Sequence, residues 1–88
     1  MDNRITALLS AEVRARRVSL GLTQRDLADM AGVSERFVRF VEQGKPSIQL
    51  DSLLAVLEPL GLELTVGTRS SQAARALTVP PAQYSANP

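Results

Sequence analysis

The sequence has no cysteine, no histidine and no tryptophan. That excludes disulfides, thiol chemistry, the usual zinc ligand sets and imidazole acid–base work. Aromatic residues are scarce as well, with two Phe and one Tyr among 88 residues. No apolar run approaches the roughly 18 residues of a membrane span. The start, Met1-Asp2-Asn3-Arg4, is followed by no long apolar stretch of the kind that marks a secretion signal. There is no glycine-rich phosphate loop and no pair of carboxylates suited to a cleft. These absences point away from an enzyme. The expectation is no catalytic residue, no metal and no cofactor, in a cytoplasmic protein without membrane contact.

What is present is aliphatic: Leu, Val and Ala dominate, and Leu and Ala favour helix. The length suits one small domain. A core of that size is marginal by itself, so a second copy would add stability. The net charge is only +1, but it is unevenly spread. Residues 1–48 hold eight Lys or Arg against six acidic residues, and residues 49–88 hold two against three. A nucleic-acid binder needs a basic face rather than a basic whole, so placement matters more than the sum.

Apolar spacing predicts four helices. Ile5, Leu9, Val13, Arg17 and Leu20 draw one stripe along a first helix from Ile5 to Leu20, closed by Gly21. Thr23 as N-cap and Asp26 three residues on open a second helix, Gln24 to Ala31, which buries Leu27, Ala28 and Ala31. Gly32 ends it. Ser34 caps a third helix from Glu35 to about Gln43, with Val38 and Val41 inward and Phe37 at the core margin. Gly44 and Lys45-Pro46 stop it. A fourth helix begins near Gln49, with Leu50, Leu53, Leu54 and Leu57 on its apolar side. Pro59 is expected to cost its last turn, and Gly61 closes it.

The period then changes. Leu62-Glu63-Leu64-Thr65-Val66 alternates apolar and polar, as a half-buried strand does. A lone strand leaves unpaired backbone groups, and the simplest partner is the same strand from a second copy. The dimer residues are thus Leu62, Leu64 and Val66. Residues 67–88 are rich in Ser, Ala, Thr, Pro, Gln and Asn and read as a flexible tail, leaving 1–66 as the domain.

Two short helices around a tight joint at Gly32 expose the N-terminal part of the second, which fits a major groove about 12 Å wide. The residues Gly21-Leu22-Thr23-Gln24, Leu27-Ala28, Gly32-Val33-Ser34, Val38, Glu42 and Gly44 resemble the Xre/Cro-type helix-turn-helix family, which includes the lambda-type phage repressors. The resemblance covers about residues 5–61. It implies an all-α, lambda-repressor-like domain of four to five helices, with the short C-terminal β-strand pairing across a dimer. Further on, Gly44-Lys45-Pro46, Leu53 to Leu57 and Leu60 to Leu64 resemble the HipB-type antitoxins, dimeric partners of a HipA-type kinase toxin. Pro59 departs from the helix former usual there.

The resemblance assigns roles. Gln24, at the start of the second helix, matches a phosphate-holding Gln, aided by local N–H groups. Ser34, Glu35, Arg36, Arg39 and Phe40 occupy the exposed side of the third helix. Arg36 is best placed for a base, since Arg to guanine is the commonest specific contact. Glu35 either accepts from cytosine or repels phosphate. Phe40 either touches a thymine methyl or packs in an interface. Gln43 and Lys45 belong to a region that rests on the sugar-phosphate backbone. Arg17 and Glu42 match a buried ion pair of the family, a structural element. The implied function is a sequence-specific repressor that binds a palindromic double-stranded operator as a homodimer and is nucleoid-associated when bound. As an antitoxin it would neutralise a HipA-like kinase and repress its own operon. A stand-alone regulator and a dimeric protein-interaction module are the alternatives, and Arg36 and Arg39 outweigh Glu35 against the latter.

Overall fold

The computed structural model describes residues 4–68. Four helices follow one another: α1 (Arg4–Ser19), α2 (Gln24–Ala31), α3 (Glu35–Glu42) and α4 (Leu50–Leu60). The sequence punctuates them. Thr23 and Asp26 form a full capping box at the start of α2: Asp26 N–H donates to Thr23 Oγ1, and Thr23 N–H donates to Asp26 Oδ2, both at 2.9 Å. Ser34 Oγ accepts from Phe37 N–H at 3.0 Å and starts α3. Such caps satisfy amides that have no partner inside the helix.

The joint between α2 and α3 is Gly32, with φ at +73°. There the N–H groups of Gly32 and Val33 both reach the Ala28 carbonyl. A side chain would disfavour that left-handed conformation, so the turn depends on glycine. Gly44 does the same after α3: its N–H reaches the Val41 carbonyl, and Lys45 N–H reaches that of Phe40.

The core lies among the four helices. It comprises Val13 from α1, Leu27 and Ala28 from α2, Val38 and Val41 from α3, and Leu53, Val56, Leu57 and Leu60 from α4. Leu9, Leu22, Ala31, Val33, Phe37, Ile48 and Leu62 pack around it. Each fully buried aliphatic side chain stabilises the fold by roughly 1.5–3 kcal/mol. α1 contributes more polar anchoring than apolar area. Ser10 Oγ donates to the Glu42 carbonyl at the end of α3, and Arg16 Nε donates to the Leu60 carbonyl at the end of α4, at 2.7 Å. The cation thus meets the negative end of a helix dipole.

Three expectations are corrected. On α4 the buried stripe is Leu53, Val56, Leu57 and Leu60, while Leu50 and Leu54 are exposed. Five leucines within eleven residues fit more than one stripe, and packing on α2 selects the rotation. Ile5 and Leu20 of the predicted α1 stripe are exposed too, because only Leu9 and Val13 of its apolar residues pack on the core. Pro59 lies inside α4, which continues to Leu60 before Gly61. Residues 62–68 follow without regular secondary structure in this single chain. A strand paired across a dimer needs a second copy. Apart from its first two residues, the tail predicted at 67–88 lies outside the described residues. No described helix is long and apolar enough to cross a membrane.

Candidate nucleic-acid interface

The candidate interface is built on α3, whose leading residues are exposed. Ser34, Glu35, Arg36 and Arg39 are exposed, as are Gln43 and Lys45 beyond the helix. The apolar residues Val38 and Val41 point inward, so the helical period turns the polar residues outward. Arg36 has no ion-pair partner among the described residues, which leaves its guanidinium available. Arg39 is engaged with Glu35 one turn earlier, at 3.2 Å. Phe40 is half-buried and stacks on Phe37, with ring centroids 6.5 Å apart. This pair forms an apolar edge beside the charged face.

Behind α3 lies a hydrogen-bonded clamp joining three helices. Glu42 Oε2 accepts from Arg17 Nε at 2.6 Å, and Oε1 accepts from Arg17 Nη2 at 3.0 Å. Oε1 also accepts from Gln24 Nε2 at 3.1 Å. Arg17 Nη1 donates to the Leu22 carbonyl at 2.9 Å. The side chains of Arg17 and Glu42 are 13% and 5% exposed, so water screens the pair little. Burial pushes the Glu42 carboxyl up, but hydrogen bonds from Arg17 and Gln24, with the nearby charges of Arg17 and Arg14, hold it below the ordinary carboxylate range. The Arg17 guanidinium is raised by its hydrogen bond to Glu42, against the opposing effect of burial. The bidentate geometry fixes the angle between α1 and α3.

Gln24 takes part in this clamp as well as standing at the head of α2, its amide N–H₂ directed at Glu42. Beside this clamp lies a shallow pocket lined by Arg14, Arg17, Gln24, Arg39, Glu42 and Gln43. Arg14 is the residue that sequence reasoning misses. Its signal is modest: it lies three residues before Arg17, hence on a neighbouring line of α1. Leu62 packs on the core of its own chain, whereas Leu64 is 46% and Val66 97% exposed.

The sequence is similar to those of known proteins. A helix-turn-helix family profile matches residues 13–67. The chain is 40% identical over 58 residues to an HTH-type transcriptional regulator of Sinorhizobium fredii, covering 66% of this chain and 76% of that protein. It is 31% identical over 65 residues to an uncharacterised HTH-type transcriptional regulator of Haemophilus influenzae, covering 74% of this chain and 66% of that protein. The chain thus spans just under two thirds of the length of the Haemophilus relative. With two capped helices around Gly32 and an exposed polar face on the second, the chain belongs to the Xre-type helix-turn-helix family of DNA-binding transcriptional regulators.

Proposed function

We propose that this protein binds a two-fold-symmetric operator as a homodimer and represses transcription from it, with α3 in the major groove. The observation that carries this reading is the exposed face of Ser34, Glu35 and Arg36 at the start of a helix whose other side is locked into the core. A rigid helix that presents a free guanidinium can read a guanine edge; Arg39 and Phe40 extend the contact along the groove. Gln24, Gln43 and Lys45 meet the sugar-phosphate backbone and set the register.

Dimerisation is supported by apolar surface that one chain leaves uncovered. Leu50 and Leu54 on α4 are 58% and 45% exposed, and Leu64 and Val66 follow in the segment after it. Pairing residues 62–66 with a second copy would cover Leu64 and Val66 and satisfy their backbone groups. Two recognition helices would then meet half-sites about 34–36 Å apart.

The test is a binding titration with duplex from the gene's own promoter, alongside sedimentation of the free protein. A dimer that binds the promoter more tightly than a random duplex, and loses that preference with Arg36→Ala, supports the reading. A monomer without sequence preference overturns it. The likeness of Gly44 to Leu64 to HipB-type antitoxins favours a second reading, in which the dimer also holds a HipA-like kinase. Co-purification with the product of a neighbouring kinase gene would support that role, and failure to bind it would leave a stand-alone regulator.

A further inference from the structure

Arg14 lies on α1, outside the two-helix motif, yet it lines the same pocket as Gln24, Arg39 and Gln43. We propose that this pocket seats one phosphodiester of the DNA backbone, with Arg14 and Arg39 as its charged sides. The inference rests on the DNA-binding reading and assigns it a contact from a third helix.

The charge balance of the pocket supports an anion. Its acidic member, Glu42, is 5% exposed and already accepts three hydrogen bonds, two from Arg17 and one from Gln24. The Arg17–Glu42 pair is therefore a neutral floor. The remaining charges at the rim are Arg14 and Arg39. Arg14 is exposed and makes no hydrogen bond or ion pair among the described residues. Arg39 is held by Glu35 through a half-exposed pair, an interaction weak enough for an incoming phosphate to replace. The amides of Gln24 and Gln43 add neutral hydrogen-bonding groups. Two cations and two amides over a neutral floor suit a small oxyanion.

The surroundings identify the source of that anion. Arg39 belongs both to the pocket rim and to the exposed face of α3. A phosphate seated here lies beside the helix that enters the groove, where a backbone strand passes. It would fix α1 and α3 to one phosphate and so set the depth of α3 in the groove.

Fluorescence anisotropy over a salt series tests this with Arg14→Gln and Arg14→Lys, using a promoter duplex and a random duplex of equal length. Thermal melts of both variants should lie close to the parent, since Arg14 is exposed and its charge is the smallest of the influences on Glu42. Arg14→Gln should weaken both duplexes by a similar factor, roughly tenfold, and reduce the salt slope by about 0.9; Arg14→Lys should keep the slope. Unchanged affinity and slope in Arg14→Gln, while Arg36→Ala still loses promoter preference, would overturn the pocket and leave the DNA-binding reading intact. A loss confined to the promoter duplex would also overturn it, because a phosphate seat carries no sequence information. A thermal stabilisation by inorganic phosphate at constant ionic strength that vanishes in Arg14→Gln, without any change in DNA affinity, would assign the pocket to a free anion instead. A parent protein that binds neither duplex would overturn the DNA-binding reading and the pocket together.

Discussion

Arg17 and Glu42, 25 residues apart, join through two parallel hydrogen bonds of 2.6 and 3.0 Å between α1 and α3. The pair is nearly enclosed, so removing one member strands the other away from water. Glu42→Gln keeps the shape but leaves the Arg17 charge without its counter-ion. The expected loss is about 2–4 kcal/mol, somewhat below the cost of breaking a fully buried pair. In a domain of this size that corresponds to a fall of roughly 10 °C or more in melting temperature. Calorimetry on parent and variant measures it. An unchanged melting temperature would show that the pair contributes nothing to stability.

The same carboxylate sets an acid limit. Glu42 titrates below its ordinary range when folded, so as pH falls the unfolded chain takes up the proton first. Stability from the pair is therefore fully present above the unfolded carboxyl pKa of about 4.3 and is lost as pH drops through the lower folded value. Urea titrations at neutral and acidic pH should show a gap between parent and Glu42→Gln that is constant near neutrality and narrows below about pH 4.3. A gap that stays constant into strong acid would mean that Glu42 is not the group responsible.

The local signals were the easiest to read. Thr23, Asp26, Gly32, Ser34 and Gly44 act on their immediate neighbours, and α2 and α3 begin where those residues indicate. The burial of Val38 and Val41 follows from their spacing on a short helix with few apolar choices. Spacing alone does not place Leu50 and Leu54, because α4 is so rich in leucine that its rotation depends on α2. The strand expected at 62–66 depends on a second chain. The place of Gln24 at a helix start suggests a phosphate contact but does not reveal that Glu42 also lies within its reach from 18 residues away. Arg14 sits on the polar side of α1, where an arginine ordinarily looks like a solvated charge. Only the packing of α1 against α3 brings it to the pocket.

Ser34 has two duties that substitution can separate. Its Oγ accepts from Phe37 N–H and caps α3, while the residue stands exposed at the leading end of the helix. Ser34→Ala should lose the cap, costing about 1 kcal/mol, and weaken DNA binding as well. Ser34→Asp should keep the cap, because Asp is as good an N-cap as Ser, yet place a negative charge against the DNA. The expected pattern is a lowered melting temperature only in the alanine variant and the larger loss of affinity in the aspartate variant. Equal affinities for parent and Ser34→Asp would remove Ser34 from the interface.

Glu35 and Arg39 form the exposed pair on α3, with side chains 44% and 47% exposed. A pair so open to water contributes about 0.3–0.5 kcal/mol, so its loss should barely move the melting temperature. Its effect on binding should be larger. Glu35 engages Arg39, so in the proposed complex it would compete with phosphate for that guanidinium and add a negative charge of its own. Glu35→Gln should free Arg39 and strengthen binding to a random duplex several-fold at low salt, with a steeper salt slope. Promoter affinity should rise less or fall if Glu35 faces the base edges as proposed, so the ratio of specific to non-specific binding should drop. Titration of both duplexes at two salt concentrations measures that ratio. If Glu35→Gln leaves both affinities and the ratio unchanged, then Glu35 neither restrains Arg39 nor helps select the operator.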